Sequence, residues 1–113
     1  MQEIQKLLNQ KPYIKNLEIK KYFDYINNIW KINLLLTITE DEIYFDFPEE
    51  HDVTICFENI NKLQIGDISG IVNHEFIIYD YAKNHYENQN RFQFAEEEYS
   101  ALNFFFEKAE ILS

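Results

Sequence analysis

Cys56 is the only cysteine in the chain and its most nucleophilic side chain by type. A catalytic cysteine needs a histidine within hydrogen-bond reach and a third group that orients that histidine. A helix N-terminus or a nearby cation must also favour its thiolate form. The neighbours of Cys56 are the apolar residues Ile55 and Phe57, in a segment with the alternation of a strand. We therefore predict that Cys56 is a small hydrophobic residue and not a nucleophile.

The three histidines are candidate metal ligands. His51, His74 and His85 are separated from one another by more than ten residues, and no H-x-H, H-E-x-x-H or C-x-x-C spacing occurs. A zinc site would require the fold alone to bring these side chains together. The sequence therefore predicts neither a metal nor a cofactor.

Carboxylates are abundant, and the densest run of them lies near residue 50. Such oxygens bind calcium, but this run lacks the alternating ligands and the sharp-turn glycine of a calcium loop. Acids are so numerous that no single pair indicates the catalytic carboxylates of a glycosidase. We interpret the run as a solvated acidic turn and predict that the chain is not an enzyme. The run consists of Asp46, Glu49, Glu50, His51 and Asp52.

Charge is divided unevenly along the chain. Residues 1–31 contain six lysines and three acids, whereas residues 32–113 contain seventeen acids and four basic residues. The formal net charge of the whole chain is −10. A field of this sign attracts basic proteins and repels nucleic acid, whose phosphates require clusters of Lys and Arg. We therefore expect a basic protein as the partner and no nucleic acid.

Length and composition predict a single domain over residues 1–113. The chain is 46% hydrophobic and 17% aromatic, which is too apolar for a disordered acidic tail. The N-terminal segment lacks the apolar core of a signal peptide, and no run approaches the roughly 20 apolar residues of a membrane span. A lone cysteine also fits a reducing compartment. These features predict a cytoplasmic protein without a membrane partner, and they leave its oligomeric state open.

The spacing of apolar residues predicts an α+β, mostly β fold. The first ten residues have the pattern of a short helix that ends before Pro12. From Leu17 onward the period is two, which indicates an antiparallel, largely meandering sheet. The predicted inward positions are Trp30, Ile32, Leu34, Leu36 and Ile38, then Ile43, Phe45 and Phe47, then Val53, Ile55 and Phe57.

Turns and the C-terminal segment are predicted from more local signals. Residues 66–70 contain the only two glycines, which favours a tight turn or a positive φ there. The polar residues 82–90 should form an exposed loop. Residues 95–112 keep both helical and strand spacing. We favour a strand because the adjacent residues Phe104, Phe105 and Phe106 would be costly on a surface helix, and a helix is the alternative.

Strand alternation also places acidic residues and Tyr44 on one face between residues 40 and 58. An aromatic side chain inside a ring of charge is the usual composition of a binding hot spot, and a field of one sign steers a basic partner onto it. The alternative is a charged face that only prevents aggregation. With a second acidic patch at residues 96–98, the predicted partner-binding residues are Glu40, Asp41, Glu42, Tyr44, Asp46, Glu49, Glu50, Asp52, Glu58, Glu96, Glu97 and Glu98.

Three segments resemble, in order and spacing, the small bacterial immunity proteins of polymorphic toxin and contact-dependent growth inhibition systems. They are VTICFENINKLQI at 53–65, FIIYDY at 76–81 and LNFFFEKAEI at 102–111. The resemblance implies a protein that binds and neutralises the C-terminal domain of a cognate toxin, often a nuclease, without catalytic residues of its own. Some relatives have a final cysteine where this chain has Phe106 or Glu107. The alternative is an interaction module or phage accessory protein without a toxin partner.

Overall fold

The computed structural model describes residues 1–45, 51–81 and 91–112. Within these ranges the chain forms one α-helix, one short 3-10 helix and eight β-strands, so the predicted α+β, mostly β class is confirmed. No helix in the described ranges is long and apolar enough to cross a membrane. The elements are α1 (Gln2–Gln10), β1 (Tyr13–Asp24), β2 (Ile29–Thr39), the 3-10 helix (Glu42–Tyr44), β3 (Val53–Glu58), β4 (Asn61–Ile65), β5 (Phe76–Asp80), β6 (Phe92–Glu96), β7 (Leu102–Phe106) and β8 (Lys108–Ile111).

The strands form two antiparallel sheets, in the orders β1-β2-β3-β8 and β4-β7-β6-β5. The sequence predicted antiparallel pairing but not this division. Strands β3 and β4 are separated only by Asn59 and Ile60, and β7 and β8 only by Glu107. Asn59 has a φ of 54°, and its side-chain amide donates a hydrogen bond of 2.9 Å to Glu107. The two strand pairs therefore bend together, and this corner joins the sheets.

A single aromatic core lies between the two sheets. Phe57 of β3 has its ring centroid 5.2, 5.1 and 4.9 Å from those of Phe94, Phe104 and Phe106. All four rings are fully buried. Such edge-on contacts between rings add to the free energy gained from burying their apolar surface. Because these rings come from both sheets, the core holds the two layers together.

Helix α1 covers the outer edge of the second sheet. The helix predicted in the first ten residues is confirmed, and Ile4 and Leu8 lie on one of its faces and are buried in the core. The side chain of Gln5 donates to the carbonyl of Phe76, at 2.7 Å, and accepts from the N–H of Ile78, at 2.8 Å. These two bonds satisfy backbone groups on edge strand β5 that would otherwise be open to pairing with another chain.

The predicted strand at Ile43, Phe45 and Phe47 is wrong where the structure describes it. Glu42–Tyr44 is a 3-10 helix, and Ile43, expected to face inward, is 60% exposed. The side chain of Asp41 accepts a hydrogen bond from the N–H of Ile43, at 3.2 Å. This local bond competes with strand pairing and favours a helical turn. Phe47 lies outside the described residues.

The C-terminal segment forms strands, which confirms the favoured alternative. Leu102, Phe104 and Phe106 of β7 point into the core and are fully buried. For residues 66–70 the sequence predicted a tight turn or a positive φ, and neither glycine has a positive φ. Gly66 instead permits a close approach: a Cβ there would lie 2.7 Å from the carbonyl oxygen of Ser100. The loop predicted at residues 82–90 lies outside the described residues.

Candidate functional site

Four of the predicted partner-binding residues gather where β2 ends, in what we call the acidic end, residues 40–44. Glu40, Asp41 and Glu42 are exposed. The Glu40 carboxylate is hydrogen-bonded to Nδ1 of His51. The ring of Tyr44 stacks on that of His51, with centroids 3.7 Å apart. The acidic end therefore presents three carboxylates beside an ordered pair of rings.

Two lysines from the start of the chain contact the same region from its inner side. Lys15 Nζ lies 2.7 Å from Asp52 Oδ2 and donates a 3.1 Å hydrogen bond to the carbonyl of Tyr44. Lys11 donates to the carbonyl of His51, at 2.7 Å. The side chains of Lys15 and Asp52 are both mostly buried. Asp52 is therefore neutralised within the chain and contributes less to the outer field than the acidic end does.

Glu58 lies apart from the acidic end, at the far end of β3. It is half-buried and pairs across strands with Lys108 of β8. Cys56 lies on the same strand and is buried. Burial raises the pKa of the Cys56 thiol, and the nearby carboxylates of Glu58 and Glu110 raise it further. An elevated thiol pKa disfavours the reactive thiolate, in agreement with the prediction that Cys56 is not a nucleophile.

Glu96 does not belong to a surface patch, contrary to the prediction for residues 96–98. Its side chain is fully buried, and its carboxylate accepts hydrogen bonds of 2.9 Å from the N–H groups of Glu98, Tyr99 and Ala101. The N–H of Glu75 adds a bond of 3.4 Å. The carboxylate thus fills the turn between β6 and β7 and organises its backbone. The sequence shows that residue 96 is acidic, but it does not show whether the side chain points toward solvent or into the protein.

The pKa of Glu96 results from two opposing effects. Burial raises this pKa, because it disfavours a charged carboxylate. The backbone N–H groups of Ala101, Tyr99, Glu98 and Glu75 together outweigh burial and lower the pKa below its ordinary value. Glu96 is therefore held ionised inside the protein, where it supports the turn and is not presented to a partner.

Glu97 and Glu98 are exposed, as the sequence predicted for this patch. Glu97 accepts a 2.6 Å hydrogen bond from the hydroxyl of Tyr79 on β5.

His74 and Glu96 are a pair of possible metal ligands that lie close together, with Nδ1 of His74 3.5 Å from the Glu96 carboxylate. Within residues 1–45, 51–81 and 91–112, no group of three or more His, Cys, Asp or Glu side chains is placed to hold a metal ion.

A second exposed surface lies at the opposite end of β2, on the hairpin arm, residues 21–32. Strand β3 pairs with β2 only from Leu34 to Ile38, so the arm extends beyond the third strand of its sheet. Tyr25 is 86% exposed and Ile26 is 94% exposed at the turn. Trp30, which the sequence placed on the inward face, is 63% exposed. The arm therefore presents apolar side chains to solvent.

The turn of the hairpin arm is held by Asp24. Its carboxylate accepts from the N–H groups of Ile26 and Asn27, at 3.0 and 3.3 Å, and from the Asn27 side chain, at 2.8 Å. It also lies 3.0 Å from Nζ of Lys31. The bond from the Asn27 side chain and that from Lys31 lower the pKa of Asp24 far below its usual range. Asn28 completes the turn with a φ of 55°.

Aromatic rings and a lysine side chain contact one another along one side of the hairpin arm. The ring of Phe23 makes edge contacts with Tyr25 and Trp30, with centroids 4.9 and 5.2 Å apart. Nζ of Lys21 lies 5.3 Å from the centroid of the Trp30 ring. The exposed rings are thus held in position. Sequence reasoning missed this surface, although the apolar pair Tyr25-Ile26 inside a polar turn was a signal for it.

These features describe an acidic, mostly β protein with two ordered, exposed surfaces at opposite ends of one strand. A protein-family model described as Immunity protein PIM8 matches residues 1–110. The chain therefore belongs to this family of immunity proteins, which confirms the predicted family type and indicates a toxin as the partner. Comparison with curated proteins gave no significant match, and neither did comparison with solved structures.

Proposed function

We propose that this chain acts in the cytoplasm, where it binds and neutralises the basic nuclease domain of a cognate toxin by occupying its surface and not by catalysis. The observation that carries the proposal is the acidic end. There, three exposed carboxylates follow one another in sequence, and the first of them bonds to His51, whose ring stacks on Tyr44, on an immunity protein of net charge −10. The producing cell would be protected for as long as the complex persists.

The physical basis is competition for one electrostatic field. A nuclease must be basic where it holds the phosphates of its substrate. An acidic protein is attracted to the same surface, and such steering raises association rates by roughly 10- to 1,000-fold over those of neutral pairs. Bound there, the inhibitor both covers the surface and neutralises it. Nuclease inhibition therefore requires no catalytic group on this chain.

Among the predicted contact residues, the structure favours the exposed ones. These are the acidic end and, as a second patch, Glu97 and Glu98. Asp52 forms an ion pair with Lys15 and contributes less, and Glu58 lies at the far end of β3 from the acidic end. Glu96 is withdrawn from the proposed contact because it is buried. Asp46, Glu49 and Glu50 lie outside the described residues and remain in the proposal on the sequence pattern alone.

Neutralising the acidic end tests the proposal. The triple variant Glu40→Gln, Asp41→Asn and Glu42→Gln removes three charges while keeping the shape of each side chain. The probe is the catalytically inactive C-terminal domain of the toxin encoded next to this gene. Since steering acts on encounter, we expect the association rate constant to fall about 10-fold at low salt, with a weaker dependence on ionic strength.

A matched control separates local from overall charge. The variant Glu3→Gln, Asp80→Asn and Glu110→Gln removes three charges from exposed residues away from the acidic end. We expect it to slow association much less. Equal effects of the two variants would show that only net charge matters and that the acidic end is not a contact site. If the unmodified chain neither binds the toxin domain nor protects cells from it, the proposed function is wrong, and an interaction module without a toxin is the better hypothesis.

A further inference from the structure

We propose that the hairpin arm is an apolar anchor that docks into a concave site on the toxin domain, while the acidic end steers the encounter. This inference rests on the proposed function and adds a second contact to it. Tyr25 and Ile26 project from the turn, and Trp30 extends the exposed apolar surface along β2. Aromatic and large aliphatic side chains of this kind are the usual anchors of protein interfaces.

The exposed area of the arm is large for a small protein. Tyr25 and Trp30 are 86% and 63% exposed, so at roughly 200 Å² for a large aromatic side chain they offer about 300 Å² together. Ile26 adds further apolar area. The largest apolar patch on a typical monomer covers about 300–600 Å², and one side of a standard interface covers about 800 Å². The arm can therefore supply a major part of an interface.

The arm is also ordered before it meets a partner. Asp24 holds the turn through three hydrogen bonds and a contact with Lys31. Phe23 supports Tyr25 and Trp30 from the side. Ordering an interface side chain on binding costs about 0.5–1.5 kcal/mol, and a pre-ordered anchor avoids part of that cost. A surface needed only for solubility would have no reason to pack apolar rings against one another in water.

Charge indicates which partner occupies the arm. A second copy of this chain would also carry a net charge of −10, so self-association would work against electrostatic repulsion. The arm itself carries a formal charge of +1, from Lys21, Asp24 and Lys31, which is small beside the net charge of the chain. A basic toxin domain is attracted by that net charge. A toxin is also the partner that membership of an immunity protein family indicates.

The geometry allows one toxin domain to contact both surfaces. Strand β1 is an edge of its sheet and runs from the acidic end, where Lys15 contacts the Tyr44 carbonyl, to the hairpin arm. Twelve residues of extended chain span about 36 Å, close to the diameter of a small domain. A toxin domain docked along β1 would therefore touch the acidic end and the arm at once.

The two surfaces should act on different rate constants, which provides the test. In the variant Tyr25→Ser and Ile26→Ser, both changed side chains are almost fully exposed, so folding should be preserved. We expect its dissociation rate constant from the inactive toxin domain to rise at least about 30-fold, the effect of losing an interface hot spot. The association rate constant and its salt dependence should remain close to those of the unmodified chain.

The control Ile71→Ser and Leu112→Ser removes two exposed apolar side chains outside the arm, and it should leave dissociation unchanged. If the arm variant dissociates as slowly as the unmodified chain while the acidic-end variant still associates slowly, that result would show that the arm is not an anchor, and the proposed function would be unaffected. Absence of any binding by the unmodified chain overturns both. Analytical sedimentation of the chain alone tests the other possible partner. If the unmodified chain is a dimer and the arm substitutions convert it to a monomer, the arm binds a second copy of this chain and not the toxin.

Discussion

Replacing Glu96 with glutamine should destabilise this protein more than any other single loss of charge described above. In the native protein one carboxylate oxygen accepts from the N–H of Ala101, and the other accepts from that of Glu98, each at 2.9 Å. Glutamine keeps one acceptor oxygen and replaces the other with an NH₂ group. At least one buried N–H donor must then face another donor, and the remaining hydrogen bonds lose their charge.

The magnitude follows from these changes. A hydrogen bond to a charged group contributes about 1.5–3 kcal/mol, against about 1 kcal/mol for a neutral one, and an unsatisfied buried donor costs about 1–3 kcal/mol. We therefore expect Glu96→Gln to lower the free energy of unfolding by about 2–4 kcal/mol. In a domain of this size that corresponds to a fall in Tm of roughly 10–20 °C.

Acid should reduce the difference between the two proteins. The pKa of Glu96 is lowered on folding from an ordinary value of 4.5. Its stabilising contribution is therefore complete above that ordinary value, and it is lost as the pH falls through the lower pKa of the folded state. His74, whose Nδ1 lies 3.5 Å from the carboxylate, is present in both proteins. Thermal denaturation followed by circular dichroism should show a large Tm difference at pH 7 and a smaller one near pH 3.

Glu97→Gln is the matched control for this prediction. Glu97 is adjacent in sequence but exposed, with a hydrogen bond from the Tyr79 hydroxyl, so its replacement should change stability by less than about 0.5 kcal/mol. If Glu96→Gln and Glu97→Gln had the same Tm at pH 7, the structural role given to the buried carboxylate would be refuted.

Two further predictions concern the close approach at Gly66 and the core. Gly66→Ala should lower stability by about 1–3 kcal/mol in urea denaturation, because the new Cβ would lie 2.7 Å from the backbone oxygen of Ser100. Gly70→Ala, where the nearest atom is 3.8 Å away, should have no comparable effect, and equal losses would contradict this account. Phe57→Ala should cost about 3–5 kcal/mol, measured in the same way, since Phe57 is fully buried against three other rings. A loss below about 1 kcal/mol would show that the core closes over the gap.

Most strand positions were predictable because the alternation of apolar and polar residues indicates which side of a strand is buried. Leu34, Leu36 and Ile38 are fully buried, as their spacing indicated. The division into two sheets was not predictable from that pattern. It depends on Asn59, whose positive φ and hydrogen bond to Glu107 bend both strand pairs at one point. Asparagine is common in polar turns, so its presence alone did not indicate a corner.

The 3-10 helix at residues 42–44 shows a different limit of prediction from hydrophobic periodicity. Ile43 and Phe45 alternate with polar residues as a strand would. Asp41 nevertheless bonds to the N–H of Ile43 and ends the strand locally. A side-chain bond of this kind acts over two residues, and hydrophobic periodicity contains no information about it.

Sequence alone determined the number and sign of the charges, and it did not determine which of them are exposed. Glu96 was assigned to the surface because it stands in a run of three acids, yet its carboxylate bonds to the backbone N–H groups of Ala101, five residues away, and of Glu75, 21 residues away. Asp52 is paired with Lys15, from which 37 positions separate it. Contacts such as these exist only once the chain has folded.

The composition, the net charge of −10, the β-rich periodicity and the immunity family were all properties of the sequence itself. The hairpin arm was decided by tertiary structure. Trp30 has the same alternation as Leu34, yet one is 63% exposed and the other is fully buried. The physical reason is that alternation determines which face of a strand a side chain occupies, whereas burial also requires a layer packed against that face. Leu34 belongs to the core between the two sheets, and Trp30, on the arm that extends beyond β3, does not.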